Sequence, residues 1–352
     1  KPTGESPLKS SKEFIERTER LYGKGWRPEF DTMDTFVDSS WYFLRYTDAR
    51  NTKCFADSAR LKAWLPVDLY LIGPEHIVLH LLYSRFFTKF LRDEGYLTIS
   101  EPFAKMRHQG MILGPDGRKM SKSKGNVINP DEVIERFGAD TLRVYEMFMG
   151  PLESDKPWDT RAVAGVYRFL KRFYNLVVTE HQAGTDRASH LPLVKKLHQT
   201  IQKVTTDIPA LKFNTAIAAM MELTNAWEEA HQHSNWLGAI ESASAVKLLA
   251  PFAPFMAEEL WQQWLDAKKT DTVHLATWPV YDAQLVIEAT TTLAIQVNGK
   301  LRGEVVLDTA RLGDEAYAIE QAKQVSSLQA WLNNGKIRKT IYIPGKIISF
   351  VV

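Results

Sequence analysis

The stretch Val67-Asp68-Leu69-Tyr70-Leu71-Ile72-Gly73-Pro74 constrains the fold more than any other part of the chain. A short β-rich run followed at once by Gly-Pro reads as a buried parallel strand that turns directly into a helix, with proline in the first turn, where its missing N–H costs nothing. The helix is expected from Glu75 to about Asp93, apolar at Ile77, Leu81, Phe86 and Phe90, and closed by Gly95. Strand, glycine turn and helix N-terminus form the ligand edge of a doubly wound sheet. Glu75, His76 and His80 therefore project toward that edge. A carboxylate there can accept hydrogen bonds from sugar hydroxyls, and two histidines at i, i+4 can touch a ligand or brace its pocket. With no third ligand in the pattern, a protein metal site is not expected.

A second apolar strand, Gln109 to Leu113, leads through the turn Gly114-Pro115-Asp116-Gly117 into Lys119-Met120-Ser121-Lys122-Ser123-Lys124-Gly125-Asn126. Ordinarily a lysine cluster is a solvated turn. Here the serines add hydroxyl and backbone donors, and Gly125 lets the main chain approach closely or take φ > 0. Asn129-Pro130-Asp131-Glu132 then starts a helix with an N-cap, a first-turn proline and an acid at N3, and Gly138 ends it. Upstream, Asp31 to Tyr46 joins Thr, Ser and Asp to a dense aromatic run, which predicts a capped helix with Phe36, Ser39 and Tyr42 on one face.

From Trp158 the pattern changes to amphipathic helices over roughly 160–180, 192–206, 213–234, 237–250 and 254–267, an antiparallel bundle. Arg161, Arg168, Lys171 and Arg172 sit among Tyr167, Phe169 and Phe173 on the first of these, a combination suited to phosphate contacts on one face and packing on the other. A polar linker follows. The chain ends in a ββαββ pattern, with Asn298-Gly299 as a hairpin, a helix from about Asp314 to Leu332, a strand from Lys336 to Ile343 and a Pro344-Gly345 turn. Lys300, Arg302, Lys336, Arg338, Lys339 and Lys346 fall on its turns and edges. At 352 residues and 45% hydrophobic there is material for two or three cores, while a net charge of +2 makes any nucleic-acid surface local. One cysteine, Cys54, excludes a disulfide framework and fits a reducing, cytoplasmic setting. No run of about 18 apolar residues and no leader pattern is present, so no membrane partner is expected.

The lysine–serine string resembles, residue for residue, the signature loop of the class I aminoacyl-tRNA synthetases, and the flanking blocks resemble the leucyl-tRNA synthetases of bacterial type. The shared blocks are the aromatic Ser-Ser-Trp-Tyr segment, the strand followed by Gly-x-Glu-His-x-x-x-His, the Val-Asn-Gly-Lys hairpin and the final Ile-Pro-Gly-Lys turn. The family commonly has two glycines where this chain has Ile72-Gly73, and many members carry a small domain before the loop for which this chain has no room. The resemblance implies an α/β catalytic portion with a Rossmann-like parallel sheet, an all-α helical bundle and a small α+β C-terminal domain. In residue terms it implies a connector at 1–30, half of the catalytic domain at 31–127, a junction at 128–157, a tRNA-binding bundle at 158–268, a linker at 269–290 and a C-terminal tRNA-binding domain at 291–352.

By the same resemblance the activity is ATP-dependent formation of leucyl-adenylate, with Mg²⁺ accompanying the nucleotide, followed by transfer to tRNA(Leu). Lys119, Ser121 and Lys122 would serve the chemistry, because ammonium groups on a mobile loop can follow charge onto departing pyrophosphate. Gly73, Glu75, Met111, Ile112, Lys119 and Lys122 would bind ATP, with main-chain groups near Met111 and Ile112 against adenine. Phe36, Ser39, Tyr42, Tyr70, His76 and His80 would enclose leucine; Arg168, Arg172, Lys300, Arg302 and Lys346 would bind tRNA. The family's His-x-Gly-His entry and editing domain are absent from this sequence and are expected in an upstream segment or subunit. The alternatives are a tRNA-binding subunit or paralogue without catalysis of its own, or an isoleucyl- or valyl-type enzyme.

Overall fold

The computed structural model describes all residues except 1–3, 32, 185–187, 266–270, 288–289 and 333–336. The chain divides into two compact units, Lys1–Ile128 with Leu152–Trp158, and Asn129–Pro151 with Asp159–Val352.

The first unit begins with α1 (Lys12–Tyr22), whose start is capped by the Ser11 hydroxyl accepting from Phe14 N–H. It continues through α2 (Tyr42–Tyr46), α3 (Ser58–Trp64), β1 (Tyr70–Ile72), α4 (Leu79–Asp93), β2 (Met106–His108), β3 (Ile112–Leu113) and β4 (Lys156–Pro157). β1 pairs in parallel with β2, Tyr70 opposite Met106, and β3 pairs in parallel with β4, Ile112 opposite Lys156. The parallel pairing expected from the sequence is therefore present, but as two separate two-stranded pairs among the described residues. Phe43, Leu44, Ala56, Leu61 and Leu97 form its core.

Two expectations in this unit need correction. Phe36 to Tyr46 is not one helix. It is a short 3-10 turn at Asp38–Ser40, then α2, broken at Trp41 with φ −138°. The hydroxyls of Ser39 and Ser40 both donate back to the Phe36 carbonyl, offering the backbone an alternative to helical bonding. The helix after Gly73 is likewise split, a 3-10 turn at Pro74–His76 preceding α4. Moreover, α4 buries its polar stripe, His80, Ser84 and Thr88, while Leu79, Leu82, Phe86 and Phe90 are exposed. Small polar residues let this helix pack against the 38–40 turn, where Ser40 is itself fully buried.

Gly110 joins β2 to β3 under backbone crowding. A Cβ there would lie 2.0 Å from the Ser154 carbonyl oxygen, and Gly110 N–H donates to Leu152 O at 2.7 Å. Because the obstacle is main chain, Gly110→Ala is expected to destabilise this unit by about 1–3 kcal/mol, as overpacking does. Chemical denaturation followed by circular dichroism measures this; an unmoved midpoint would mean the 152–158 segment gives way freely.

The second unit contains α5 (Pro130–Phe137), α6 (Ala139–Phe148), α7 (Thr160–Gln182), α8 (Leu191–Asp207), α9 (Phe213–Gln232), α10 (Ala239–Leu249) and α11 (Pro254–Leu260), which passes into a π turn at Trp261–Leu265. The helices start and stop within a few residues of the sequence-based limits, except that the end of the expected 254–267 helix lies outside the described residues. Asn129 caps α5 as expected, accepting from Asp131 N–H at 3.1 Å. Asp140 of α6 accepts from Met256 N–H at 2.7 Å, capping α11, and Arg143 donates to the Pro251 and Phe252 carbonyls. The linker is not free chain. Trp278 Nε1 donates to Thr205 of α8 at 2.9 Å and Asp282 N–H to His198 at 2.9 Å, just before α12 (Ala283–Val286).

The terminal module comprises β5 (Thr290–Val297), β6 (Lys300–Asp308), α13 (Glu315–Gln324), α14 (Gln329–Leu332), β7 (Lys339–Ile343) and β8 (Ile347–Val351), in sheet order β6-β5-β8-β7. Asn298 at φ +50° and Gly299 at φ +77° make the tight hairpin that their types predict. The single helix expected over 314–332 breaks at Val325, whose backbone is extended. Lys336 lies outside the described residues. One buried layer, including Leu293, Ile295, Leu307, Ala318, Leu328 and Phe350, joins sheet to helices.

Candidate active site

Five of the six side chains expected around an aliphatic ligand converge in the first unit. Phe36 lies edge-on to His76 at 6.0 Å between ring centres, and His76 to His80 at 6.3 Å. The Tyr42 hydroxyl is 2.9 Å from the Tyr70 hydroxyl, which is 2.6 Å from His80 Nε2. Different elements supply them: the turn before α2 brings Phe36, β1 begins at Tyr70, and the 3-10 turn and α4 carry the histidines. Ser39 joins through the backbone, its hydroxyl donating to Phe36 O at 3.1 Å. Burial, then proximity to His76, pushes the His80 pKa below its usual value. Burial and the hydrogen bond to Tyr42 push the Tyr70 phenol up, so its hydroxyl stays protonated.

Two aromatic walls were missed. Tyr83 stacks on Phe36 with 6.4 Å between centres, and Phe103 lies flat on Tyr70 at 3.8 Å. Neither bore a sequence signal, since Tyr83 sits among other apolar residues of a helix and Phe103, bridged in parallel to Val67, lies in a stretch without a periodic pattern.

The lysine loop reaches the same helix entry. The Lys119 ammonium forms an ion pair with the Glu75 carboxylate, and this pairing holds the Glu75 pKa below its usual value. Asn126 organises the loop from within, its side-chain oxygen accepting from Ser121 N–H at 2.9 Å and its amide donating to Asp116 and to Lys119 O. The Ser121 and Ser123 hydroxyls are 2.8 Å apart. Lys122 opens a 3-10 turn that ends on Gly125 in the left-handed region at φ +64°, the conformation for which glycine is suited.

Gly73 is extended and precedes the Pro74 turn. Main-chain groups of Met111 are already engaged, its N–H donating to Asp155 at 2.7 Å and its carbonyl accepting from Lys156 N–H at 3.0 Å. Any main-chain reading of a base therefore falls to Ile112, whose groups alternate to the other side of β3.

Among the basic residues of α7, Arg172 is tied to α9, donating to Glu228 at 2.7 Å and to Asn225 at 3.0 Å. Arg168 has no such ion pair among the described residues. Arg302 lies over the Trp331 ring at 4.2 Å, while Lys300 begins β6 and Lys346 sits in the turn before β8.

Comparison with known proteins follows these elements. The family of class I tRNA synthetases (I, L, M and V) matches residues 8–159, and the anticodon-binding domain of tRNA ligases matches 192–315. Leucine–tRNA ligase of Bdellovibrio bacteriovorus is 45% identical over 99% of this chain, and that of Chlorobaculum parvum 44% identical over 99%. The chain spans 43% and 42% of those two proteins, less than half their length. The crystal structure of an Agrobacterium radiobacter LeuRS–tRNA–LeuAMS ternary complex superposes with a TM-score of 0.75 at 32% identity, covering 98% of this chain and 46% of that one. The architecture is accordingly the class I synthetase fold, a catalytic region and a helical region followed by a small sheet domain. With 44–45% identity over 99% of its residues, and with matches to the class I tRNA synthetase and anticodon-binding families, the chain is similar along nearly its whole length to a C-terminal part of the leucine–tRNA ligases.

Proposed function

We propose that this chain supplies the signature-loop half of a leucine–tRNA ligase site, activating leucine with ATP and passing it to tRNA(Leu). The carrying observation is the convergence of Phe36, Tyr42, Tyr70, His76 and His80 in the unit where Lys119 meets Glu75. Leucine's carboxylate attacks the α-phosphate, one P–O bond forms, the bond to the β-phosphate breaks, and pyrophosphate leaves with the electron pair. Glu75 accepts from the ribose hydroxyls. Lys119, drawn off Glu75 by the nucleotide, and Lys122 then meet the charge growing on pyrophosphate. A terminal ribose hydroxyl of tRNA next attacks the adenylate carbonyl and AMP departs. Mg²⁺ enters this reading as the nucleotide's counter-ion.

The other phosphate-binding half comes from a further catalytic segment. The apolar residues exposed on α4, Phe86 at 64% and Leu82 at 59% among them, give that segment a surface to cover, and the relatives are more than twice this length. Leucine-dependent ATP–pyrophosphate exchange tests the reading, run on the chain alone and with an upstream fragment carrying His-x-Gly-His. Exchange only with the fragment supports it. Absence of exchange in both, with tRNA still bound, favours a tRNA-binding module.

The tRNA surface is proposed to include Arg168, Lys300, Arg302 and Lys346. Arg168→Ala is expected to weaken tRNA binding and to reduce the slope of log affinity against log salt by about 1, the mark of one lost phosphate contact. Fluorescence anisotropy at several salt concentrations measures it. An unchanged slope returns Arg168 to the solvated face. Arg172 is assigned a smaller part in binding, because its guanidinium already holds α9.

A further inference from the structure

His80 and Ser84 carry a signal that the proposed reaction has not used. They lie one turn apart on the buried side of α4, 4% and 0% exposed. Tyr70 already meets His80 at Nε2, yet His80 Nδ1 and Ser84 Oγ are both buried without a hydrogen-bond partner. A buried polar atom left without a partner forfeits the hydrogen bonds it had in water, so each orphan favours an arrangement that satisfies it. At i, i+4 their Cβ atoms are roughly 5–6 Å apart, so a change of Ser84 rotamer brings the pair together directly or across one water.

The direction of the bonds follows from the chemistry of the groups. An imidazole nitrogen is a far better acceptor than a phenol oxygen, so the Tyr70 O–H donates to Nε2 and the neutral ring keeps its proton on Nδ1. In a helix the serine hydroxyl hydrogen can go to the carbonyl four residues back, which leaves an oxygen lone pair for Nδ1–H. We propose that Ser84 is a positioning residue that accepts from His80 Nδ1–H and locks the ring as that tautomer, so that a pocket histidine shows only carbon to an aliphatic ligand. The proposal rests on the leucine-pocket reading. It explains how a histidine serves as an apolar wall: both nitrogens are bound behind it, by Tyr70 on one side and Ser84 on the other.

A simpler role for Ser84 is small size, allowing α4 to approach the 38–40 turn. Alanine would serve that role equally, so Ser84→Ala separates the two without overpacking the site. The experiment is nitrogen–proton correlation NMR of the full chain with labelled histidines, His80 being assigned by the signal lost in His80→Phe. The expected result is the Nδ1–H pattern at pH 7, with a protected Nδ1 proton that exchanges at least tenfold faster in Ser84→Ala and is retained in Ser84→Thr. An Nε2–H pattern in the unaltered chain overturns the proposal, as does equal protection in Ser84→Ala. Titration with leucine, read on the His80 carbon-bound protons, tests the pocket independently. Shifts with an Nε2–H ring sink the lock alone; an Nδ1–H ring that leucine leaves unmoved keeps the lock and removes the leucine reading.

Discussion

Lys122→Ala is expected to slow leucyl-adenylate formation about 10²-fold in an enzyme completed by its upstream segment, equivalent to roughly 3 kcal/mol of lost transition-state stabilisation. Lys119 starts from an ion pair with Glu75, whereas Lys122 has no ion pair among the described residues and needs none broken before it acts. The 3-10 turn and the left-handed Gly125 hold it at the tip of a loop that Asn126 braces on both sides. In the proposed role its ammonium meets charge that appears only as pyrophosphate departs, so the loss should fall on kcat with the KM for leucine little changed. Single-turnover formation of the adenylate is the direct measurement. An unaltered rate would remove Lys122 from the step, and an equal loss in Lys124→Ala would reduce the effect to general loop charge.

Glu180→Ala is expected to destabilise the helical unit by about 3–5 kcal/mol, the largest single loss foreseen in the bundle. Glu180 lies near the end of α7, 6% exposed. Its carboxylate accepts from Trp227 Nε1 at 2.5 Å and from Leu237 N–H at 3.1 and 3.2 Å, tying α7 to α9 and to the approach to α10. Ser242 Oγ also lies 3.4 Å away, but its hydrogen is better placed on Leu237 O at 3.0 Å. Alanine leaves the indole N–H and a backbone N–H buried without acceptors, each costing about 1–3 kcal/mol. Glu180→Gln keeps one acceptor oxygen and should cost about half as much. Urea unfolding followed by circular dichroism measures both; a loss below about 1 kcal/mol for alanine would mean that water reaches the site.

Where a signal was local, the sequence was sufficient. Asn129 with Pro130 started α5, Asn298-Gly299 turned the terminal hairpin, and apolar periodicity delimited α7 to α10, because caps, turns and helical faces depend on residues within one or two turns. α4 shows the limit of the same reasoning. Its apolar positions predicted the buried face, yet His80, Ser84 and Thr88 face inward, because the nearest partner is a tight serine-bearing turn that only small side chains can approach. At Phe36 to Tyr46 the helix signal competed with serine hydroxyls bonding back to Phe36, and the hydroxyls prevailed.

By itself the sequence determined which residues to expect at the proposed site: the lysine–serine loop, the acid and histidines after Gly73, and the aromatic run that includes Phe36 and Tyr42. Only the tertiary structure decided how they are used. Lys119 meets Glu75 across 44 residues, Met111 is satisfied by Asp155 across another 44, and Glu180 finds Trp227 across 47. The physical reason is common to all three. A charged or polar group makes the same demand for a partner wherever it stands in the chain, but which partner answers is set by the packing of distant elements, and no local pattern encodes that choice.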